Sequence, residues 1–120
     1  MVIALIAHDG KKADMVQFLN EHKDVLHQKN IQLISTGTTG QRVKAAGFNV
    51  DDLLSGPLGG DAQIASRVAE GKCQMVLFFR DPLDRHPHEP DILMLMRLCD
   101  VHNVPLATNP ATAKLLIRAV

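Results

Sequence analysis

The sequence predicts one domain over residues 1–120, with an α/β fold in which a doubly wound parallel sheet carries helices on both faces. Short apolar segments typical of strands alternate along the chain with segments of helical periodicity, which is the pattern of βαβ crossovers. The two clearest strands, Val2–Ala7 and Met75–Phe79, are apolar at every position, as expected of strands buried on both faces. A chain of 120 residues is long enough to bury one such core.

The remaining elements are weaker but follow the same alternation. Further strands are expected at residues 31–35, 48–53 and 104–107, and helices at 11–27, 41–46, 62–70, 92–99 and from 111 onward. The first helix is predicted from apolar residues at helical spacing, with Asp9 placed to cap it. Gly71 is placed to end the helix predicted at 62–70.

Charge and composition exclude several classes of partner. Lys and Arg together number 13, as do Asp and Glu, so no net field attracts nucleic acid or an anionic membrane. All four aromatic residues are Phe, which is too few for a base-stacking surface. No apolar run could span a bilayer and no targeting segment is evident, so we expect a cytoplasmic protein without a membrane partner. Cys73 and Cys99 form no CxxC motif and are expected to be reduced core thiols.

The loops after the strands hold most of the residues capable of chemistry, and parallel sheets bind ligands at that edge. Residues 36–40, Thr-Gly-Thr-Thr-Gly, precede a helix, so their amide N–H groups and hydroxyls suit an anion such as phosphate. The spacing is not that of a P-loop. A capped turn without a ligand is the alternative interpretation.

Residues 55–61, Ser-Gly-Pro-Leu-Gly-Gly-Asp, form a glycine-rich segment that can lie against a small ligand. Asp61 at its end would present one carboxylate at the start of a helix. The alternative is that Asp61 is only a helix cap. Lys12, close after His8 and Asp9, is placed to bring an ammonium group beside a bound phosphate, although a surface lysine is the simpler interpretation.

Residues 86–91, His-Pro-His-Glu-Pro-Asp, resemble a metal-ligand cluster at first sight, but we expect no metal there. The prolines stiffen the loop, which suits it to presenting one neutral imidazole to a substrate oxygen, oriented by a nearby carboxylate. A solvated loop in which Asp91 caps the next helix is the alternative.

Taken in order, these segments resemble those of the methylglyoxal synthases over essentially the whole chain. The matching stretches are 3–9, 36–40, 55–61, 78–82, 87–91 and 105–109. The combination of Ser-Gly-Pro-Leu-Gly-Gly-Asp with Pro-His-Glu-Pro-Asp carries most of the specificity. The resemblance implies five parallel strands flanked by helices, a homohexamer, and a lyase without metal or cofactor. Such a lyase converts dihydroxyacetone phosphate into methylglyoxal and inorganic phosphate, and inorganic phosphate inhibits it.

The resemblance also implies roles for residues at matching positions. Asp61 would be the catalytic base, His88 would assist at the substrate oxygens, and Asp9 and Asp91 would support the acid–base network. The residues implied to hold the substrate, mainly by its phosphate, are His8, Lys12, Thr36, Gly37, Thr38, Thr39, Ser55 and Gly56.

Two alternative functions belong to other classes of protein. A non-catalytic module of the same fold, like the regulatory domain of large carbamoyl phosphate synthetases, would sense phosphate or a nucleotide. It needs phosphate-binding loops but has no evident use for an acid–base pair such as Asp61 and His88. A response-regulator receiver would need paired acids after the first strand and a lysine after the fifth, and both are missing.

Overall fold

A computed structural model describes the whole chain, residues 1–120, and its centre is a five-stranded parallel sheet. The strands, in the order β3-β2-β1-β4-β5 across the sheet, are β1 (Val2–Ala7), β2 (Gln32–Thr36), β3 (Asp51–Leu53), β4 (Met75–Phe79) and β5 (Leu106–Ala107). The helices are α1 (Lys12–Glu21), α2 (Lys23–Leu26), α3 (Gly37–Ala45), α4 (Gly60–Ala69), α5 (Glu89–Val101) and α6 (Pro110–Ile117). Short 3-10 turns lie at Asp9–Lys11 and Gly56–Leu58. The predicted fold class is confirmed.

Both faces of the sheet are covered, because alternate residues of each strand pack against different helices. A cluster of 17 buried apolar residues joins the strands to helices that include α1, α3 and α6. A second cluster of 12 residues joins them to α4 and α5 on the other face. The central strand β1 supplies Ile3 and Leu5 to the first cluster and Ala4 and Ile6 to the second. This double burial explains why β1 has no polar position.

The single helix predicted over residues 11–27 is wrong, since the chain breaks at His22 into α1 and α2. Nδ1 of His22 donates to the carbonyl oxygen of Phe18 at 2.8 Å. That carbonyl would accept the His22 backbone N–H in a continuous helix, and this N–H instead bonds Leu19 O at 3.1 Å. Asp9 does not cap α1 either, because its carboxylate accepts a hydrogen bond from the Lys12 side chain.

Other element bounds differ from the prediction by a few residues. The helix expected from residue 41 begins at Gly37, so the threonine-rich turn forms its first turn. Strand β3 is shorter than 48–53, because Phe48 and Val50 are buried in the larger apolar cluster and do not pair with β2. Gly71 follows the end of α4 with a positive φ of 73°, as predicted for a residue that ends a helix.

The two cysteines are confirmed as buried, free thiols. Burial raises the pKa of the Cys99 thiol to about 11, which leaves it protonated and unreactive at neutral pH. Among the helices, none combines the length and the apolar character needed to cross a membrane.

Candidate active site

A pocket of about 110 Å³ lies at the carboxyl ends of the central strands. The chain winds from β1 to β3 on one side of the sheet and then returns to β4 on the other, so the strand order reverses beside β1. Open parallel sheets bind ligands at this kind of reversal. Pockets for drug-sized ligands measure about 300–1,000 Å³, so this one suits a molecule of few heavy atoms. Its lining residues are Ile6, Ala7, His8, Asp9, Lys12, Thr36, Thr38, Thr39, Ser55, Gly56, Pro57, Asp61, His86 and His88.

A larger cavity of about 720 Å³ lies on the surface between α1 and α3. It contains none of the predicted site residues, and its wall combines four small apolar side chains with four polar or charged ones, Gln17, Asn20, Glu21 and Arg42. The smaller pocket therefore remains the candidate site, because it alone gathers the chemically capable loops.

Asp61 is the most deeply buried acidic residue of the site, with a side chain that is 0% exposed. It occupies the first turn of α4 but does not cap that helix, and neither of its oxygens has a hydrogen-bond partner within the chain. Burial raises the pKa of the Asp61 carboxyl; nearby His88 opposes the rise and Asp91 adds to it. The helix-cap interpretation of Asp61 is therefore wrong, and its carboxylate is more basic than an exposed one.

His88 lies beside this carboxylate. Its Nε2 is 3.2 Å from Asp61 Oδ2. This contact is not a hydrogen bond, since both Asp61 oxygens lack a hydrogen-bond partner. Gly56 makes room for the imidazole, since a Cβ at residue 56 would lie 2.8 Å from His88 Nε2. Gly56 thus permits close contact between the 55–61 segment and the His88 ring. The carboxylate nearest the His88 ring is Asp61, and His88 Nδ1 has no hydrogen-bond partner within the chain.

His8 is fixed as a neutral imidazole with a defined tautomer. The backbone N–H of Asp81 donates to His8 Nδ1 at 2.9 Å, so Nδ1 is unprotonated and the ring proton resides on Nε2. Burial, together with the neighbouring His86, His88 and Arg80, lowers the pKa of His8 to about 4, against the opposing effect of Asp81. His8 Nε2 is buried and unpartnered within the chain. It is therefore a free N–H donor in the pocket wall.

The threonine-rich first turn of α3 forms another wall. No side chain caps this helix; the Gly37 N–H donates to Leu54 O at 3.2 Å, and the amide N–H groups of Thr38 and Thr39 remain available to an anion. The hydroxyl of Thr39 is not free, because it bonds both the N–H and the C=O of Ala7 at 3.3 and 3.2 Å. Thr36 and Thr38 make no side-chain hydrogen bond and so carry the available hydroxyls.

Lys12 and Asp9 form an ion pair at the mouth of the pocket. The ammonium of Lys12 contacts Asp9 Oδ1 at 2.5 Å, yet Lys12 is only 8% exposed at its side chain whereas Asp9 is 99% exposed. The hydrogen bond and charge of Lys12 lower the pKa of the Asp9 carboxyl. Lys12 is therefore a buried cation in the pocket, contrary to the simpler interpretation of a surface lysine.

Of the predicted site residues, ten line the pocket and two do not. Gly37 contacts the next loop, since a Cβ there would lie 2.8 Å from the Cα of Ser55. Asp91 lies in the first turn of α5 and does not cap that helix, whose N-cap is His88. The analysis of the sequence missed His86 and Pro57. The only signal for His86 was its place two residues before His88 in the proline-rich loop. No group of three or more His, Cys, Asp or Glu side chains is arranged to hold a metal ion.

Comparison with known proteins points to one family. The family model for the MGS-like domain matches residues 14–108. Methylglyoxal synthase of Moorella thermoacetica is 56% identical over 119 residues, which is 98% of this chain and 91% of that protein. Methylglyoxal synthase of Thermus thermophilus is 58% identical over 116 residues, or 96% of this chain and 90% of that protein.

A solved structure agrees with these relatives. The crystal structure of methylglyoxal synthase from Elizabethkingia anophelis superposes with a TM-score of 0.88 and 42% identity, over 97% of this chain and 76% of that one. Sequence and fold therefore agree over nearly the whole chain, and the chain belongs to the methylglyoxal synthase family.

Proposed function

We propose that this chain is a carbon–oxygen lyase that converts dihydroxyacetone phosphate into methylglyoxal and inorganic phosphate, with Asp61 as the base. The observation that carries the proposal is the carboxylate of Asp61, which is fully buried, unpartnered and 3.2 Å from a histidine in a pocket sized for a small molecule. Relatives at 52–58% identity that are named methylglyoxal synthase support the same reaction.

The proposed reaction begins when Asp61 takes a proton from the hydroxymethyl carbon of the substrate, leaving an enediolate. The hydroxyl of the enediolate then passes its proton to the neighbouring oxyanion while its oxygen forms the C=O bond of an aldehyde. The C=C bond moves toward the carbon that carries the phosphate, and the C–O bond breaks, so phosphate leaves with the electron pair of that bond. The remaining enol gains a proton on its terminal carbon and becomes methylglyoxal. Phosphate is a stable anion as a leaving group, so the step does not depend on a metal to polarise it.

The roles proposed for the other residues follow from their positions in the pocket. His88 is placed beside Asp61, where it can donate to a substrate oxygen as negative charge develops. The neutral N–H of His8 is a second donor of this kind. Asp9 would hold Lys12 in place, and Asp91 would act on the acid–base pair through its charge, which raises the pKa of Asp61.

The phosphate of the substrate would be held by Lys12, by the amide groups and free hydroxyls at the start of α3, and by the loop of Ser55 and Gly56. The remaining residues proposed for this grip are Thr36, Gly37, Thr38 and Thr39, with Thr39 acting through its backbone. Tight binding of the phosphate would also fix the orientation of the breaking C–O bond. Holding the breaking C–O bond roughly perpendicular to the enediolate plane favours elimination over return of the proton.

A regulatory module that only senses phosphate is the alternative of another class. The position of Asp61 argues against it, because a buried carboxylate repels the anion that such a module must bind. The pocket volume of about 110 Å³ also disfavours a nucleotide as the ligand.

We further propose that inorganic phosphate inhibits the enzyme, because the product can occupy the same anion-binding elements as the phosphate of the substrate. A homohexamer in the cytoplasm is proposed on the family resemblance alone.

The test is to incubate the purified protein with dihydroxyacetone phosphate and to follow methylglyoxal and phosphate together. We expect the two products in equal amounts, and we expect Asp61→Asn to lower kcat by about 10²–10⁴-fold. The exposed Asp100→Asn is the matched control and should leave the rate unchanged. Full activity of Asp61→Asn would refute the assigned base, whereas absence of product from the wild-type protein would favour the binding module.

A further inference from the structure

The buried side-chain polar atoms that lack a hydrogen-bond partner within the chain belong to five residues, and these lie in one region. The atoms are His8 Nε2, both carboxylate oxygens of Asp61, Arg80 Nε, His86 Nε2 and His88 Nδ1. Folded proteins contain few such groups, because leaving one unpaired costs about 1–3 kcal/mol. Four of the five residues line the pocket. Their concentration there indicates groups held for a ligand, and of these four only His86 has no role yet.

The ring of His86 is held in a defined position. It stacks on His8 with a centroid separation of 3.6 Å and an interplanar angle of 22°, and its centroid lies 5.7 Å from that of His88. His8 is itself fixed by the Asp81 N–H and by an edge contact with Phe78 at 5.2 Å. The His86 ring is thus held against the His8 ring, whose orientation is itself fixed, and His86 Nε2 is buried. Such preorganisation is typical of a ligand-binding donor.

The neighbours of His86 indicate which part of a ligand it faces. His86 belongs to the loop after β4, which folds back over β1 so that its ring stacks on His8. Its other ring neighbour is His88, and it is close enough to Asp61 and to the exposed Asp9 to influence the pKa of each carboxyl. His86 therefore lies beside the two imidazoles and the buried carboxylate of the acid–base group.

We infer that His86 is a further substrate-binding residue, whose Nε2–H donates a hydrogen bond to an oxygen of the three-carbon part of the substrate. The identity of that substrate rests on the proposed function. His86 also forms the partition between the pocket and an outer polar cavity of about 360 Å³ lined by Arg80, Arg85 and Glu89 among others. A side chain in this position contacts a ligand on its inner side and excludes water on its outer side.

Two substitutions separate the donor from the ring. His86→Phe keeps an aromatic ring to stack on His8 but removes the N–H, whereas His86→Gln keeps an N–H donor and loses the ring. We expect His86→Phe to lower kcat/KM for dihydroxyacetone phosphate by about five- to tenfold, as for loss of one hydrogen bond, and His86→Gln by no more than about twofold. The affinity for inorganic phosphate, which has no triose oxygens, should stay within about twofold in both. His102→Phe is the same exchange at an exposed position and should change neither quantity.

Three results would overturn this assignment. They are a wild-type kcat/KM in His86→Phe, an equal loss in both variants, and a parallel loss of phosphate affinity, which would indicate a disturbed loop or a phosphate contact. If His86→Phe does not fold, His86→Leu removes the donor with a smaller side chain. If the wild-type protein makes no methylglyoxal, the proposed function fails, and calorimetric binding of dihydroxyacetone phosphate to the same variants still tests His86 by the same ratios.

Discussion

Replacing Asp61 with Asn should stabilise the protein while it slows the proposed reaction by about 10²–10⁴-fold. The Asp61 side chain is 0% exposed and neither oxygen accepts a hydrogen bond within the chain, so its ionised form lacks both solvent and partners. An unsatisfied buried polar group costs about 1–3 kcal/mol and a charged one costs more, so the amide, although also unpaired, avoids the additional cost of the charge, which we take to be of the same order. We therefore expect the free energy of unfolding of Asp61→Asn to exceed that of the wild type by roughly 1–3 kcal/mol at pH 8.

The difference in free energy of unfolding between Asp61→Asn and the wild type should depend on pH, which provides a second test. Burial raises the pKa of the Asp61 carboxyl in the folded state above its ordinary value of 3.8. Below pH 3.8 the carboxyl is protonated in both states and imposes no charge cost on the wild type. As pH rises from there through the raised folded pKa, the unfolded state gives up its proton first, so the wild type loses stability relative to Asp61→Asn. The advantage of the variant should thus be small near pH 4, grow with pH, and level off above the folded pKa.

Urea denaturation of both proteins from pH 4 to pH 8.5 measures this directly. For a domain of this size, 1 kcal/mol corresponds to about 4 °C, so thermal unfolding at pH 8 should show a rise of roughly 4–12 °C. Asp100→Asn, on the surface of α5, should differ from the wild type by no more than about 0.5 kcal/mol at any pH. The reasoning is refuted if Asp61→Asn is no more stable than the wild type at pH 8, or if its advantage is the same at pH 4 and pH 8.

Three further predictions concern Gly60, Asn109 and Lys12. Gly60→Ala should lower the free energy of unfolding by about 1–3 kcal/mol in urea denaturation, and lower kcat, because its Cβ would lie 1.9 Å from the backbone oxygen of Leu54. Gly40→Ala, where the obstacle is the movable carboxylate of Asp52, should cost less stability. An equal cost in the two variants would contradict this reasoning. Asn109→Ala should lower the free energy of unfolding by about 1 kcal/mol without changing activity, because the side-chain amide of Asn109 caps α6. An unchanged melting temperature would show that the cap contributes nothing to stability. Lys12→Met should raise KM for dihydroxyacetone phosphate and weaken inhibition by phosphate, each by at least about tenfold. Rate measurements that show unchanged phosphate inhibition would exclude a role for Lys12 at the phosphate.

The sheet and the position of the site were predictable because they depend on strong signals. The strands β1 and β4 are apolar at every position, which a half-exposed strand would not tolerate. Once a parallel sheet is inferred, the ligand-binding edge follows from topology, and ten of the twelve predicted site residues line the pocket. The site was predictable in outline for the same reason: its residues sit where the strands end.

The features that escaped prediction depend on contacts between distant segments. The break at His22 comes from a single ring nitrogen that competes for the Phe18 carbonyl, and helical periodicity does not reveal it. The tautomer of His8 is set by a backbone N–H 73 residues away in the chain. The stacking of His86 on His8 likewise requires the loop after β4 to fold back over β1. Sequence spacing contains no information on these contacts.

The burial of Asp61 in a pocket for an anion is unfavourable for binding of the substrate. In the proposed reaction, the same burial lowers the barrier to proton transfer. In the free chain the Asp61 carboxylate lacks hydrogen bonds, and in the proposed substrate complex the phosphate would also repel it. Both penalties fall when Asp61 takes the proton, because its charge moves to the enediolate. The N–H donors of His8 and His88 then face the new charge. Since the penalty is greater before the transition state than in it, burial of this carboxylate raises kcat in a way that tighter binding of the substrate would not.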